Sequence, residues 1–285
     1  MDAQRVTARL QEPILTQAVT PPAVPGRPID LSVVIPAYNE AGSIGETLRV
    51  VVDYLDRHSY AWELVVVDDG STDGTREVLA ACQANSPCLR VLQNDRNRGK
   101  GATVKHGVLA ARGQYIFFMD ADLAVPIEEL AGAVTALSNG PEPILIGSRR
   151  ATGARIVRRQ PRLRELLGSG FTLLARAAIA PRILDFTCGF KGFRRHEARL
   201  LFARQQCNDW AFDAEILYLA RLLELPVRQY PVSWRHQKNS RVRFPRDIYR
   251  TLAGLLRIRW RVRRMVRNAA AAVPPRGSSE IESEA

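Results

Sequence analysis

Short apolar runs rich in β-branched residues alternate with amphipathic segments of helical period along the first half of the chain. The pattern predicts strands at 31–35, 64–67, 89–92, 115–119 and 144–146. Helices are predicted at 43–57, 72–84, 102–111 and 127–137, the first opening with a capping-box pattern of Ser43 and Glu46. Fully apolar strands that alternate with helices are typical of a mostly parallel sheet with helices on both faces, so we predict an α/β fold.

Two amphipathic segments are present in the less regular second half, at 162–180 and 247–267. Their apolar positions recur at helical spacing and are Leu163, Leu166, Leu167, Phe171, Leu174 and Ala178 in the first, and Ile248, Leu252, Leu255, Leu256, Val262 and Val266 in the second. Arginines surround the second apolar stripe, at 250, 257, 261, 263, 264 and 267. Such helices lie on a membrane surface, pack on a sheet or join copies of a chain, and the pattern leaves these three interpretations open.

The two ends of the chain differ in composition from its centre. Residues 1–28 are rich in proline and are predicted to form a flexible lead, and the small polar residues at 269–285 predict a disordered tail. Between them we predict one folded domain over 29–245, which includes the first amphipathic helix at about 160–182. A separate basic amphipathic helix is predicted over 246–268.

The composition of the 285 residues excludes several classes of protein. With 46% hydrophobic and 25% charged residues, the chain is globular rather than disordered. Its four cysteines form no CxxC pair, which disfavours a disulfide scaffold and a zinc ribbon. No apolar run reaches the roughly 18–20 residues that cross a bilayer, and the N-terminus lacks an apolar signal core, so a transmembrane anchor is not expected.

The net charge of +12 is distributed unevenly along the chain. Residues 1–148 carry 12 basic and 18 acidic residues, whereas residues 149–268 carry 28 basic and 8 acidic residues, a balance of +20. A basic segment of this size predicts a polyanionic partner, which is either a nucleic acid or an anionic membrane surface.

Polar side chains follow four of the predicted strands, at the point where each strand ends. They are Tyr38, Asn39 and Glu40 after the first, Asp68 and Asp69 after the second, Asn94, Asn97 and Lys100 after the third, and Asp120 and Asp122 after the fourth. Any one of these loops alone is typical of a turn. Ligands of parallel sheets bind beyond the carboxyl ends of the strands, so four such loops together predict a binding site at one edge.

The loop chemistry indicates a nucleoside diphosphate held with a divalent cation. Asp120 and Asp122 are spaced to face one Mg²⁺, which takes one or two carboxylates and completes its shell with water and phosphate oxygens. Lys100 opens a helix, whose N-terminus favours an anion. The patterns GxxxxGK[ST] and GxGxxG are absent, which disfavours a P-loop nucleotidase and a nicotinamide dehydrogenase.

Seven blocks of the sequence resemble those of family 2 glycosyltransferases of the GT-A fold. The blocks are VVIPAYNE (33–40), VVVDDGSTDGT (65–75), NRGKGATVKHG (97–107), MDAD (119–122), GSR (147–149), TCGFKGF (187–193) and WAFDAEIL (210–217). Within that family the chain is similar to the polyprenyl- and dolichyl-phosphate sugar synthases. The TCGFK and FDAEIL blocks resemble most the branch that makes polyprenyl-phosphate glucose from UDP-glucose.

The resemblance implies a role for each matching residue. The donor nucleotide would contact Pro36, Ala37, Tyr38, Glu40, Asp68, Asp69, Lys100, Asp120, Ala121 and Asp122. Asp120 and Asp122 would hold Mg²⁺ or Mn²⁺ against the diphosphate. The acceptor phosphate would meet Arg149, Arg158, Arg159, Arg162, Arg164 and Lys191. The catalytic group would be Asp120, Asp122, Arg149 and Asp213, with Trp234, His236, Ser240 and Arg241 in a loop near the acceptor.

The resemblance further implies an inverting transfer of glucose to a polyprenyl phosphate at the cytoplasmic face of a membrane. The protein would bind there peripherally, on an anionic surface, and copies of the chain would be able to associate. A donor of the GDP-mannose type is the alternative within the class, because hexoses differ by single hydroxyl groups. A nucleic-acid-binding protein is the alternative from another class, but it explains the basic segment and leaves the acidic loops without a role, so we expect no nucleic-acid partner.

Overall fold

The computed structural model describes residues 28–158, 170, 172–236, 254–255, 257–262 and 264, and every structural statement below concerns these residues. Several predictions lie outside them. They are the lead over 1–27, the tail over 269–285, and the candidate residues Arg159, Arg162, Arg164, Ser240 and Arg241.

The described chain contains nine strands, and seven of them form one sheet at its centre. In chain order the strands are β1 (Leu31–Ala37), β2 (Trp62–Asp68), β3 (Leu89–Gln93), β4 (Tyr115–Met119), β5 (Ile144–Ser148), β6 (Arg155–Arg158), β7 (Phe190–Arg194), β8 (Val227–Pro231) and β9 (Ser233–Arg235). The sheet has the order β3-β2-β1-β4-β7-β5-β8, and β6 and β9 form a separate parallel pair. Only β7 runs antiparallel to its neighbours in the sheet, which confirms the mostly parallel arrangement.

Helices cover both faces of the sheet. They are α1 (Ile44–Asp56), α2 (Thr75–Ala84), α3 (Lys100–Ala110), α4 (Glu129–Asn139), α5 (Arg195–Arg204) and α6 (Phe212–Leu222). Alternate residues of β1 enter different cores: Val34 packs with α3, α5 and α6, whereas Val33 and Ile35 pack with α1 and α4. The uninterrupted apolar strands of the sequence therefore follow from burial on both faces.

The capping box predicted for the first helix is wrong. Ser43 precedes α1 but makes no hydrogen bond to the helix from its side chain. Its hydroxyl instead donates to Glu40 Oε2 at 2.7 Å, and Glu46 pairs with Arg49 at 2.6 Å. The Ser43 hydroxyl is thus oriented toward a carboxylate three residues earlier in the chain and not toward the N–H groups of the helix.

The described apolar residues of the two amphipathic segments divide between the core and the surface. Ala175 and Ile179 are buried in the first, and Leu255, Ile258 and Val262 are buried in the second, all within one core. Of the three interpretations, packing on the protein is the one that accounts for Leu255 and Val262, because both side chains are buried in the core. The outer faces carry Leu173, Leu174 and Trp260, which are 67%, 50% and 57% exposed. No helix among the described residues combines the length and apolarity that crossing a bilayer requires.

Candidate active site

The polar loops predicted to converge do lie at one edge of the sheet. Parallel pairing places Ala37 beside Asp68, and Asp68 beside Gln93. Backbone hydrogen bonds extend the alignment past the strands, from Asp69 N–H to Ala37 O and from Asn94 N–H to Asp68 O, both at 2.8 Å. Asp120 follows β4, which pairs with β1 on its other side. The carboxyl ends of four strands therefore build the site.

Asp69 organises the loop that precedes α3. One carboxylate oxygen accepts from Asn94 Nδ2 and from Arg98 N–H, each at 2.8 Å, and the other accepts from Gly99 N–H at 2.9 Å. Gly99 has φ 95°, a conformation that glycine adopts without strain. The protein therefore takes three of the roughly four acceptor positions of this buried carboxylate, and the contact of Asp69 with the donor nucleotide stays a prediction.

Asp68 is buried completely and has partners of its own. It accepts from Ser71 N–H and forms a 3.0 Å ion pair with Arg76 Nε. The neighbouring loop after β1 is held by Asn39, whose Oδ1 accepts from Thr72 N–H at 2.7 Å, and it presents Tyr38 half-buried. Pro36 and Ala37 lie in β1 itself, so the predicted donor contacts are grouped at the ends of β1 and β2.

Asp120 is fixed by the backbone on one side and by a cation on the other. Its N–H donates to Gly189 O at 3.0 Å, just before β7, and its Oδ1 lies 2.6 Å from Lys100 Nζ. Lys100 is the first residue of α3, and its ammonium lies 4.8 Å from the ring centroid of Trp210. Burial lowers the pKa of Lys100, but Asp120, Asp213 and Asp122 outweigh burial, so the net pKa is raised and the ammonium is charged.

Asp122 carries a carboxylate that is costly to keep charged. Partial desolvation by the surrounding protein raises its pKa although the residue is exposed at the sheet edge, and the negative charges of Asp120 and Glu40 raise the pKa further, against the Ala124 N–H and Lys100. A divalent cation beside Asp120 and Asp122 would relieve that cost. Within the described residues no group of three His, Cys, Asp or Glu side chains could hold a metal. The pair nevertheless fits Mg²⁺ or Mn²⁺ bound mainly through phosphate and water oxygens.

The N-terminus of α3 is not available to an anion, contrary to the prediction. The backbone N–H groups of Gly101 and Ala102 donate to Asn208 O at 2.9 and 3.3 Å. A Cβ on Gly101 would approach Cys207 O to 2.6 Å, so the loop before α6 lies directly on this helix end. The side chain of Lys100 is what this helix contributes to the site.

Arg149 is oriented by a buried aspartate on the long connection between β5 and β7. Its Nε and Nη2 donate to the two oxygens of Asp185 at 2.7 and 2.8 Å, and Nη2 also reaches Thr187 Oγ1 at 2.9 Å. Burial alone would lower the pKa of Arg149, but Asp185 more than offsets it, so the guanidinium is charged. The face of the guanidinium lies 5.4 Å from the ring centroid of Trp234.

Lys191 lies inside the protein, which argues against its predicted contact with the acceptor phosphate. The side chain is 1% exposed, and Nζ donates to Asp213 Oδ1 at 2.5 Å, to Cys188 O at 2.8 Å and to Phe186 O at 3.1 Å. All three ammonium donors are therefore used. Burial raises the pKa of Asp213, and Lys191 and Lys100 oppose that shift. Asp213 is thus a buried partner of Lys191 at the start of α6.

The segment that contains Trp234 and His236 borders the acidic loop. Arg235 N–H donates to Ala124 O at 2.8 Å, two residues beyond Asp122, and Trp234 contacts Arg149. Arg158 is exposed at the end of β6, where its carbonyl accepts from His236 N–H at 3.1 Å. The structure thus brings Trp234 and Arg149 together and places Arg158 on the outer pair of strands.

Sequence reasoning missed Asp185, Trp210, Asn208 and Gly189 as parts of the site. Asp185 had a usable signal, since it is one of only eight acidic residues in the basic segment 149–268 and stands between Leu184 and Phe186. An acidic residue in apolar, basic surroundings is typically an ion-pair partner. Trp210 and Gly189 lay in matched blocks without a role, and Asn208 acts through its backbone, which no side-chain pattern reveals.

Comparisons with known proteins agree with this geometry. Residues 32–200 match the family described as Glycosyl transferase family 2. A dolichyl-phosphate beta-glucosyltransferase of Trichomonas vaginalis is 39% identical over 220 residues, which span 74% of this chain and 65% of that relative. A protein of the same name from Dictyostelium discoideum is 32% identical, over 82% of this chain and 76% of the relative.

The fold also has solved counterparts. Glucosyl-3-phosphoglycerate synthase from Mycobacterium tuberculosis, crystallised with Mn²⁺, UDP-glucose and phosphoglyceric acid, superposes with a TM-score of 0.61 at 22% identity. The superposition covers 81% of this chain and 79% of that one. At this level of identity the likeness concerns the fold.

Proposed function

Because the chain belongs to glycosyl transferase family 2, we propose that it transfers glucose from UDP-glucose to a polyprenyl phosphate of the dolichyl type. The proposal rests on one observation, which is that the site has two ends with different charged residues. Asp120, Asp122 and Lys100 form an acidic end suited to a metal–diphosphate. At the other end Asp185 and Thr187 take Nε and Nη2 of Arg149, which leaves its Nη1 group for a second phosphate. The names of the relatives supply the sugar and the lipid.

The donor end would bind the diphosphate of the sugar nucleotide. Asp120 and Asp122 would hold Mg²⁺ or Mn²⁺, which when bound neutralises negative charge on the departing UDP. Asp69 keeps the loop before α3 in shape, and Gly189 fixes the backbone of Asp120. Tyr38 and Glu40, in the loop after β1, would contact the nucleoside. Presence of UDP-glucose and Mn²⁺ in a protein of the same fold supports this assignment.

The acceptor end would position a nucleophile that needs no general base. A phosphate monoester has a second pKa of about 6, so it is largely dianionic at neutral pH. One of its oxygens would attack C1 of glucose, forming the new C1–O bond as the bond from C1 to the diphosphate breaks. Attack opposite the leaving group inverts C1 and gives a β-linked product. Arg149 would bind the phosphate, with its guanidinium held in plane by Asp185 and Thr187.

We also propose that the outer faces of the two C-terminal helical segments contact an anionic bilayer. Leu173, Leu174 and Trp260 are exposed there, and so are the arginines Arg257, Arg261 and Arg264. Arg259 Nη1 donates to Ala178 O at 3.1 Å, so the two segments are adjacent. Each arginine near anionic lipid contributes about 1 kcal/mol to binding. The cytoplasmic leaflet carries such lipids, which favours that face; association of copies through these helices stays a prediction.

Transfer of labelled sugar into extractable lipid tests the proposal. Purified protein is incubated with Mn²⁺, a short polyprenyl phosphate and either UDP-glucose or GDP-mannose, each labelled in the sugar. We expect lipid label from UDP-glucose, and its loss in Asp120→Asn and Asp122→Asn but not in the surface control Asp53→Asn, which lies on α1 in an exposed ion pair.

Three other results would change the proposal in different ways. Label from GDP-mannose alone would keep the reaction class and replace the sugar. UDP binding without label from either donor would exclude a lipid phosphate acceptor. Activity that survives both aspartate substitutions would refute the metal site.

A further inference from the structure

Lys100 forms an ion pair with Asp120, whose carboxylate is part of the proposed metal site. Its Nζ lies 2.6 Å from Asp120 Oδ1, within the range of a charge-assisted hydrogen bond. The Lys100 side chain is largely removed from water, since it is 12% exposed and the ring of Trp210 lies over the ammonium, whereas Asp120 is 32% exposed. A cation approaching Asp120 therefore meets a position that a cation of the protein already holds.

The same lysine also balances the charge of the whole acidic end. Its ammonium interacts with Asp120, Asp213 and Asp122 together. Asp213 has a second cation in Lys191, at 2.5 Å, whereas Asp120 pairs with Lys100 at 2.6 Å. A divalent cation bound alone would repel the ammonium and remove its partner at once, which is costly because the Lys100 side chain is only 12% exposed.

A diphosphate changes that balance. It brings negative charge with it, so the ammonium that leaves Asp120 gains a new anionic partner in the same step. Lys100 is able to make this move, because lysine has a flexible four-carbon stem and here it begins at the first residue of a helix. The helix end itself stays fixed, since Asn208 O and Asp69 hold the neighbouring backbone N–H groups.

We propose that Lys100 is a positioning residue that makes binding of the divalent cation depend on the nucleoside diphosphate. It holds Asp120 until both arrive, then transfers from the carboxylate to the diphosphate. Metal alone would bind weakly, and metal with UDP would bind strongly. The inference rests on the proposed diphosphate donor, but it concerns the order and cooperativity of binding and not the chemistry of transfer.

Binding of Mn²⁺, followed by the electron paramagnetic resonance of the free ion, tests this role in the intact chain. Titrations are made with and without UDP for the wild type, Lys100→Met and Lys100→Arg. Lys105→Met is the matched control, because Lys105 lies on the same helix and its Nζ bonds Gln205 O. We expect Lys100→Met to bind Mn²⁺ alone at least about tenfold more tightly, the factor that one charge-assisted hydrogen bond supplies. UDP should then raise its Mn²⁺ affinity less than it does in the wild type.

The two other variants separate a specific contact from general charge. Lys105→Met also removes one positive charge and should bind Mn²⁺ like the wild type. Lys100→Arg keeps the charge and is expected to show no gain. Lys100→Gln repeats the test with a polar side chain, and circular dichroism establishes that each variant is folded. Unchanged or weaker binding of Mn²⁺ alone by both Lys100→Met and Lys100→Gln would overturn the inference, as would an equal gain in Lys105→Met.

Trp210 provides a second readout that does not involve turnover. It is 44% exposed and lies against the ammonium, so departure of Lys100 should change its fluorescence when UDP and Mn²⁺ are added together. Trp210→Phe identifies the part of the signal that is due to this residue, and Lys100→Met should lack it. Absence of any UDP binding would count against the proposed function, whereas the comparison of Mn²⁺ affinities decides the role of Lys100 in either case.

Discussion

Replacing Gly189 with alanine measures how strictly the fold places Asp120. A Cβ at Gly189 would lie 2.0 Å from Asp120 Oδ2 and 2.3 Å from Asp120 Cγ, whereas ordinary contacts begin at 3.4 Å. The carboxylate would have to retreat by more than about 1 Å, and a displacement of that size at a reacting centre costs about 100-fold in rate. We therefore expect kcat/KM for glucose transfer to fall at least about 100-fold.

The same change should affect stability much less than activity. Overpacking by one methyl group typically costs about 1–3 kcal/mol, and the Asp120 side chain is able to rotate away because it is 32% exposed. Gly74→Ala is the matched control, since its Cβ would lie 3.7 Å from the Ala41 Cβ in ordinary contact. Steady-state kinetics, Mn²⁺ affinity in the presence of UDP and urea unfolding are measured for both variants. Mn²⁺ affinity and kcat/KM within about twofold of the wild type in Gly189→Ala would refute the reasoning.

Four further changes test other parts of the structure. Lys191→Met leaves Asp213 buried without its ion pair and should lower the free energy of unfolding by about 3–5 kcal/mol in urea titrations, so a loss below about 1 kcal/mol would contradict the structural role of the pair. Arg149→Lys keeps the charge but cannot make the two parallel hydrogen bonds to Asp185, and kcat/KM for the lipid phosphate should fall about 10–100-fold with KM for UDP-glucose unchanged. A matching rise in KM for UDP-glucose would instead assign Arg149 to the donor end. Burial, together with the Arg98 charge, lowers the pKa of His106, so the stability that His106 contributes is present above the unfolded pKa of about 6.5 and is lost as the pH falls below it. Urea unfolding from pH 7.5 down to about pH 5 should show this loss in the wild type and a flatter profile in His106→Gln, and identical profiles would exclude it. The double change Leu173→Asp and Leu174→Asp should weaken sedimentation with anionic liposomes about tenfold or more without altering UDP binding, and unchanged sedimentation would assign docking to another surface.

Strands and loops of the first half could be predicted because their signals are local. Buried β-branched runs define β1 and β2, and strand order in a parallel sheet places the following loops at one edge without further information. The structure confirms this for Asp120, Asp122 and Lys100, which it brings together. A pair of acidic residues two positions apart is a local pattern, and so is a lysine after a glycine.

Partners across the chain could not be predicted in the same way. In the sequence Lys191 is a basic residue that a phosphate could contact. In the structure its ammonium group donates to Asp213 and to the carbonyl groups of Phe186 and Cys188. Strand β7 also escaped prediction, because a lysine and an arginine interrupt its apolar pattern while tertiary contacts bury four of its five residues. Asn208 blocks the start of α3 through a carbonyl, and a backbone atom leaves no mark in a sequence pattern.

The antiparallel course of β7 has a consequence for how this site diversifies. Since β7 is paired on both sides, the excursion of the chain between β5 and β7 has both of its ends anchored in the sheet. Lengthening an anchored excursion is inexpensive, because doubling a flexible loop costs only about 0.6 kcal/mol in closure entropy. The donor end depends on the sheet edge and on Gly189, not on the length of this excursion. An insertion at an exposed turn of the excursion, such as 152–153, can therefore change the acceptor end while the strand ends proposed to bind the nucleotide keep their places.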